Sequence, residues 1–170
     1  MEMAQDYIFR GDREKDPETR LALYSRALAL EPDNFDALIG KGRALQLVNR
    51  KEEALACHAR ATVLNPSLPA GWVCKGDDLI LLQRYADALD CYERALRMNL
   101  DDEHVQVRKA TALRELDRYD EAIECCDQAL GFNPSFGEAL ATKAMILIFA
   151  DRTEEGVACL TKALRVKEDR

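Results

Sequence analysis

Six cysteines and two histidines are the residues of this chain best suited to metal or redox chemistry. Cys125 and Cys126 are adjacent in the stretch "ECCDQAL". A thiol pair with a histidine nearby is the raw material of a zinc site or a dithiol couple. Cys74, Asp77 and His104 are the other conceivable metal trio. One Cys and one His without motif spacing give that trio little weight. Whether any of these groups does chemistry depends on the elements that carry them.

Those elements repeat. Cys57, Cys91, Cys125 and Cys159 stand 34 residues apart, in "EALACHARA", "DALDCYERA", "EAIECCDQA" and "EGVACLTKA". On this ruler the 170 residues divide into five units, 1–34, 35–68, 69–102, 103–136 and 137–170. An internal repeat of this length predicts one supersecondary unit stacked five times.

Each unit carries two helical patterns. Leu38, Gly42 and Leu45 make one apolar stripe, and Ala54, Leu55, His58, Ala61 and Thr62 make the next. The third unit repeats this with Trp72, Gly76 and Leu79, then Ala88, Leu89, Tyr92, Ala95 and Leu96. Glu52 and Glu53, Asp120 and Glu121, and Glu154 and Glu155 open the second helices, where the dipole favours them. "EPDN", "NPSL", "NLDD" and "NPSF" close the units, because proline cannot continue the helix before it. Asp33, Ser67, Asp101 and Ser135 are the expected caps of the helices that follow. The pairs Gly42 with Ala54, Gly76 with Ala88, Ala110 with Ala122 and Ala144 with Gly156 lack bulk, which lets the two helices of a unit approach.

The third unit reads Trp72-x2-Lys75-Gly76-x2-Leu79, then Ala88-x3-Tyr92 and Ala95. Pro32, Pro66 and Pro134 fill the terminal proline position. In these features the whole chain resembles the tetratricopeptide repeat (TPR) family. The resemblance implies an all-α fold, a right-handed superhelical α-solenoid of antiparallel helix pairs, forming a single domain over 1–170. The first and last units diverge. Ile8 and Arg20 stand at small-residue positions of the first unit, whose opening helix is expected to be frayed or tilted. Pro17 is expected to begin its second helix behind an Asp16 cap.

The helical frame answers the cysteine question. Stacked helix pairs repeat at roughly 10 Å, and a disulfide needs Cα atoms within about 7 Å. The ladder therefore cannot cross-link itself. Cys125 and Cys126 diverge by about 100° around one helix, which excludes a shared bond or metal. They read as small, half-buried apolar residues. His58 falls in a core position, and neither HExxH nor a phosphate loop is present. The expectation is a non-enzymatic protein with no catalytic residue, no metal and no cofactor.

Binding is what the resemblance implies instead: a scaffold or adaptor that holds a partner segment in a concave groove lined by the first helix of each pair. Carried over by position, the groove comprises Ile39, Arg43 and Gln46, then Val73, Cys74, Asp77 and Ile80, then His104, Val107, Arg108, Thr111 and Arg114. Ala141, Met145 and Ile148 continue it. Some family members clamp a carboxylate tail with Lys, Asn, Lys and Arg. Here Arg108 suits one arm, while Ile39 and Arg43, Cys74 and His104 replace the others. The mixed aliphatic and arginine lining suits an extended or helical protein segment with apolar anchors and acidic residues.

Other features set bounds. With 48% hydrophobic and 32% charged residues and net charge −7, the chain is a poor match for nucleic acid or an anionic membrane surface. No apolar run approaches a membrane span, and "MEMAQDYIFRGDREKD" lacks a signal-peptide core. Cysteines without a secretion signal point to a reducing compartment, so a cytoplasmic location is expected. Arg50, Arg84, Arg118 and Arg152 line one edge, either solvated or facing an acidic partner. In "MILIFAD", Ile146, Ile148 and Phe149 exceed what one buried face uses. An apolar end there raises a second reading: self-assembly, two chains stacking through their uncapped C-terminal ends.

Overall fold

The structure is a computed structural model that describes residues 3–99 and 102–168. Ten α-helices occupy the described residues: α1 Ala4–Arg13, α2 Pro17–Leu30, α3 Phe35–Leu47, α4 Lys51–Leu64, α5 Pro69–Leu81, α6 Tyr85–Met98, α7 Glu103–Glu115, α8 Tyr119–Phe132, α9 Gly137–Phe149 and α10 Thr153–Glu168. From α3 onward the odd-numbered helices begin at 35, 69, 103 and 137, the unit borders set by the cysteine ruler. None of the described helices is long and apolar enough to cross a membrane.

The chain forms two compact units, Met1–Arg84 and Tyr85–Arg170. In the first, α1 packs on α2, α2 on α3, α3 on α4 and α4 on α5, with α1 beside α3 and α3 beside α5. In the second, α6 packs on α7, α7 on α8, α8 on α9 and α9 on α10, with α7 beside α9. Alanine forms the narrowest contacts. Ala54, Ala88 and Ala122 are fully buried, and a Cβ added to Gly156 would lie 2.9 Å from the Ala144 carbonyl oxygen.

The turns inside the helix pairs share one geometry. Asn49, Gln83, Asp117 and Asp151 adopt φ of 57–59°, the left-handed region. The next amide then reaches back five residues: Arg50 N–H to Leu45, Arg84 to Leu79, Arg118 to Leu113 and Arg152 to Leu147, at 2.8–3.0 Å. This is the bond of a Schellman ending, which satisfies carbonyls that a helix end leaves open. The arginine that closes the turn also opens the next helix. Arg50, Arg118 and Arg152 each grip a glutamate three residues on, Glu53, Glu121 and Glu155, with both guanidinium bonds at 2.6–2.8 Å. These bonds hold the three glutamates below the ordinary carboxylate range. Three of the four edge arginines are thus committed to starting helices.

The expected caps shift by one residue. Asn34, not Asp33, accepts from the amide of Ala37, and Asp102 accepts from that of Val105. Asp101 itself lies outside the described residues. Leu68 and Phe136 stand at the cap positions predicted for Ser67 and Ser135, without side-chain caps. At three of these four borders a proline turn goes with the shift. Pro32, Pro66 and Pro134 take the second position of turns closed by Asn34 to Glu31, Leu68 to Asn65 and Phe136 to Asn133, so the helix begins after the fourth turn residue. Asp33 turns outward and meets Arg60 at 2.5 Å. At the other divergent unit, α1 is a formed helix rather than a frayed one. Ile8 is buried, and Arg20 closes the α1–α2 connection with Nε and Nη2 on the Glu14 carbonyl. Asp16 caps α2 ahead of Pro17, as expected, and its bonds to Thr19 lower its pKa.

Candidate functional site

In the first unit the side-by-side helices α1, α3 and α5 present a common face. A cavity of about 470 Å³ opens on it, lined by Ile8 and Asp12 of α1, Arg20 and Tyr24 of α2, Phe35, Ile39, Gly40 and Arg43 of α3, and Ala70 of α5. Tyr24 shapes the cavity. Its ring rests on two glycines: a Cβ on Gly40 would overlap it, and one on Gly11 would lie 2.9 Å away. The Tyr24 hydroxyl donates to Asp12 Oδ1 at 2.6 Å, and burial together with that bond raises the phenol's pKa. Of the predicted groove residues, Ile39 supplies apolar floor at 8% exposure. Arg43 is exposed and reaches Cys74 Sγ at 3.6 Å. Val73, Asp77 and Ile80 are half-buried on α5. Arg20, Tyr24 and the α1 residues are additions to the predicted stripe, which begins only in the second unit.

Gln46 has a different job. Its amide donates to Asp78 Oδ1 at 2.6 Å, and the other carboxylate oxygen lies 2.5 Å from His58 Nδ1. Both His58 and Asp78 are wholly buried. His58 Nε2 sits 3.3 Å from the Ile39 carbonyl oxygen, so each ring nitrogen faces an acceptor. Gly42 makes room for the ring, since a Cβ there would run into it. Three helices, α3, α4 and α5, are therefore joined by a buried polar network directly beneath the cavity floor. His58 stands at a core position in the sequence, whereas nothing beside Asp78 marks it as buried. One signal was available: on the 34-residue ruler Asp78 stands where Ala44, Ala112 and Ile146 stand in other units. A carboxylate in an apolar position needs a buried partner.

In the second unit α7 lies beside α9. Val107 is buried at 2% exposure, and Thr111 donates its hydroxyl to the Val107 carbonyl at 3.1 Å. Arg114 stacks over the Phe149 ring, 5.6 Å from its centroid, and pairs with Glu115. Arg108 is exposed. His104, also exposed, packs edge-on against Phe136 at 4.8 Å and stands 3.6 Å from Glu138. Met145, Ile148 and Phe149 are 43%, 40% and 62% exposed. Ile146 is not part of that surface. It is fully buried, because it lies about 200° around the helix from Ile148.

The recurring turn, the helix pairs and the 34-residue spacing converge with two family models, both described as tetratricopeptide repeat. They match residues 75–135 and 137–170, together more than half of the chain. The chain belongs to the tetratricopeptide repeat family. No curated protein sequence matches it. Among solved structures, "Crystal structure of MamA protein" matches with TM-score 0.82 at 19% identity, over 97% of this chain and 92% of that one. A MamA segment from Desulfovibrio magneticus RS-1 matches with TM-score 0.88 at 17% identity, over 98% and 94%. YrrB, titled a TPR protein with an unusual peptide-binding site, matches with TM-score 0.76 at 21% identity, over 98% and 88%. At these identities the likeness is one of fold.

As a TPR protein the chain uses its cysteines as packing pieces. All six are free thiols. Cys91, Cys125 and Cys126 are more buried than expected, while Cys57 and Cys159 are half-buried. Burial pushes the thiols of Cys57, Cys74 and Cys125 up, and that of Cys126 up to about 12. Such groups stay protonated at neutral pH and behave as small apolar side chains.

Proposed function

We propose that this TPR protein is an interaction scaffold that holds a partner's protein segment against the face built by its first helices. The observation that carries the reading is the cavity over α1, α3 and α5. Its volume of about 470 Å³ accommodates an anchoring side chain with its neighbours. Ile8, Phe35, Ile39 and Ala70 supply apolar lining, and Arg20 and Arg43 stand in it with Asp36 and the Tyr24-bound Asp12, so an apolar anchor with a carboxylate directed to Arg43 fits it. On the α7–α9 face of the second unit, the exposed Arg108 with Met145 and Ile148 offers a related mixture of charge and apolar surface. YrrB, a protein of the same fold, bears a peptide-binding site by its title.

The test is affinity capture by the reduced protein, beside Arg43→Glu, with bound proteins identified and the bound segment remade as a synthetic peptide. The expected result is a peptide that binds the parent and loses at least about tenfold in affinity with Arg43→Glu, as when an opposed charge pair becomes a like-charge contact. Equal binding by both proteins removes the cavity from the site.

A second reading, self-assembly through the apolar C-terminal end, is favoured by the exposure of Ile148 and Phe149. Contiguous exposed apolar surface marks an interface more often than it marks ordinary surface.

A further inference from the structure

On α10, Val157, Leu160 and Leu164 share one side and are 53%, 37% and 63% exposed. The 34-residue ruler places them where α8 has Ile123, Cys126 and Leu130, and where α6 has Leu89, Tyr92 and Leu96. There the same positions are closed or half-closed: Leu89, Tyr92 and Leu96 are 6%, 1% and 7% exposed, Ile123 and Cys126 are 8% and 0%, and Leu130 is half-buried. α6 packs against α7, and α8 against α9, the first helix of the next pair. The stripe of α10 therefore has the composition of a helix-receiving surface.

Charge selects the helix. Glu154 and Arg165 flank the stripe on the same side, at opposite ends. Eleven residues at about 100° each bring them within about 20° of one another around the axis. Neither residue has an ion-pair or hydrogen-bond partner among the described residues. A helix that complements this flank must be basic where α10 is acidic and acidic where it is basic. α10 itself, reversed, meets that requirement.

We propose that α10 pairs with α10 of a second copy, antiparallel, about a two-fold axis passing between residues 160 and 161. A two-fold perpendicular to both helices keeps like flanks together. Val157 then opposes Leu164 of the second copy, Leu160 packs at the axis, and Glu154 stands beside Arg165 of the second copy, each contact occurring twice. A parallel pair, with its two-fold along the helices, would put the two Glu154–Arg165 flanks on opposite sides of the seam, where neither charge meets its complement. The pairing rests on the self-assembly reading and gives it a surface, while leaving the first-helix face open.

Sedimentation equilibrium of the reduced full chain over a concentration series tests it. The expected result is a reversible monomer–dimer equilibrium. Leu164→Glu should yield monomer with helix content unchanged by circular dichroism. Glu154→Arg and Arg165→Glu should each raise the dimer Kd roughly fivefold or more, since two symmetric ion pairs become repulsive. The two together should return it close to the parent value, because the swapped charges again face each other. A parent that stays monomeric throughout overturns both the pairing and the self-assembly reading. A dimer that survives Leu164→Glu but is lost in Phe149→Asp keeps self-assembly and overturns the α10 pairing. Two single variants whose effects add, without rescue in the double, overturn the two-fold arrangement.

Discussion

Asp78 is the residue on which the first unit is most exposed to damage. Its carboxylate is wholly buried and serves two donors at once, Gln46 at 2.6 Å and His58 at 2.5 Å. Removing one member of a buried pair strands the other without water, at about 3–5 kcal/mol. Asp78→Ala should therefore lower unfolding stability by that amount, read from the urea midpoint. His58→Leu with Asp78→Ala should be more stable than Asp78→Ala alone, because the wholly buried imidazole is no longer stranded and only the half-buried Gln46 amide loses its acceptor; Leu is the residue that unit five uses at this position, Leu160. A double variant no better than the single one would mean that the network contributes nothing beyond filled volume. The identity of this network was half legible in the sequence. His58 declares itself by standing at a core position, but Asp78 follows the groove residue Asp77 and has no local mark of burial. Only comparison along the ruler separates them, and Gln46 looks like a groove residue until its partner is seen.

The helix pairs depend on a turn that L-residues dislike. Four non-glycine residues, 34 apart, hold φ near 58°. A side chain in the left-handed region costs roughly 1–2 kcal/mol, and glycine escapes that cost while giving back part of it as lost chain entropy. Gln83 is the clean test, since it is exposed and its side chain has no described partner, whereas Asp117 accepts from the Tyr119 hydroxyl at 2.6 Å. Gln83→Gly should stabilise the protein by up to about 1 kcal/mol. A drop in thermal stability would show that the glutamine contributes more than its backbone strain. In units two to five the turns are visible in the sequence as short breaks between two apolar periods, "VNRKEE", "LQRYAD", "LDRYDE" and "ADRTEE", whereas "DPET" interrupts that region of the first unit. The left-handed residue was not visible, because Asn, Gln and Asp occupy it where glycine would have announced it. The caps moved by one residue for a related reason: proline marks where a helix stops, yet the turn that it enters decides where the next one starts.

A repeat protein distributes its stability by neighbour, and that governs how a local fault spreads through the whole chain. Each helix pair is held mainly by the pairs beside it, so opening reactions are graded along the chain rather than all-or-none. The His58–Asp78–Gln46 network joins α3, α4 and α5, all within the unit Met1–Arg84. The helices α8, α9 and α10 pack on one another within Tyr85–Arg170. Native-state hydrogen exchange on Asp78→Ala should then show its largest loss of protection in α3, α4 and α5. The amides of α8 and α9 should keep rates close to those of the parent. This selective pattern is what a scaffold with separable binding faces requires, because a partner seated on one set of first helices can order those helices without tightening the rest. An equal loss of protection in all ten helices would show a single cooperative unit, in which occupation of the α1–α3–α5 cavity stabilises every helix alike.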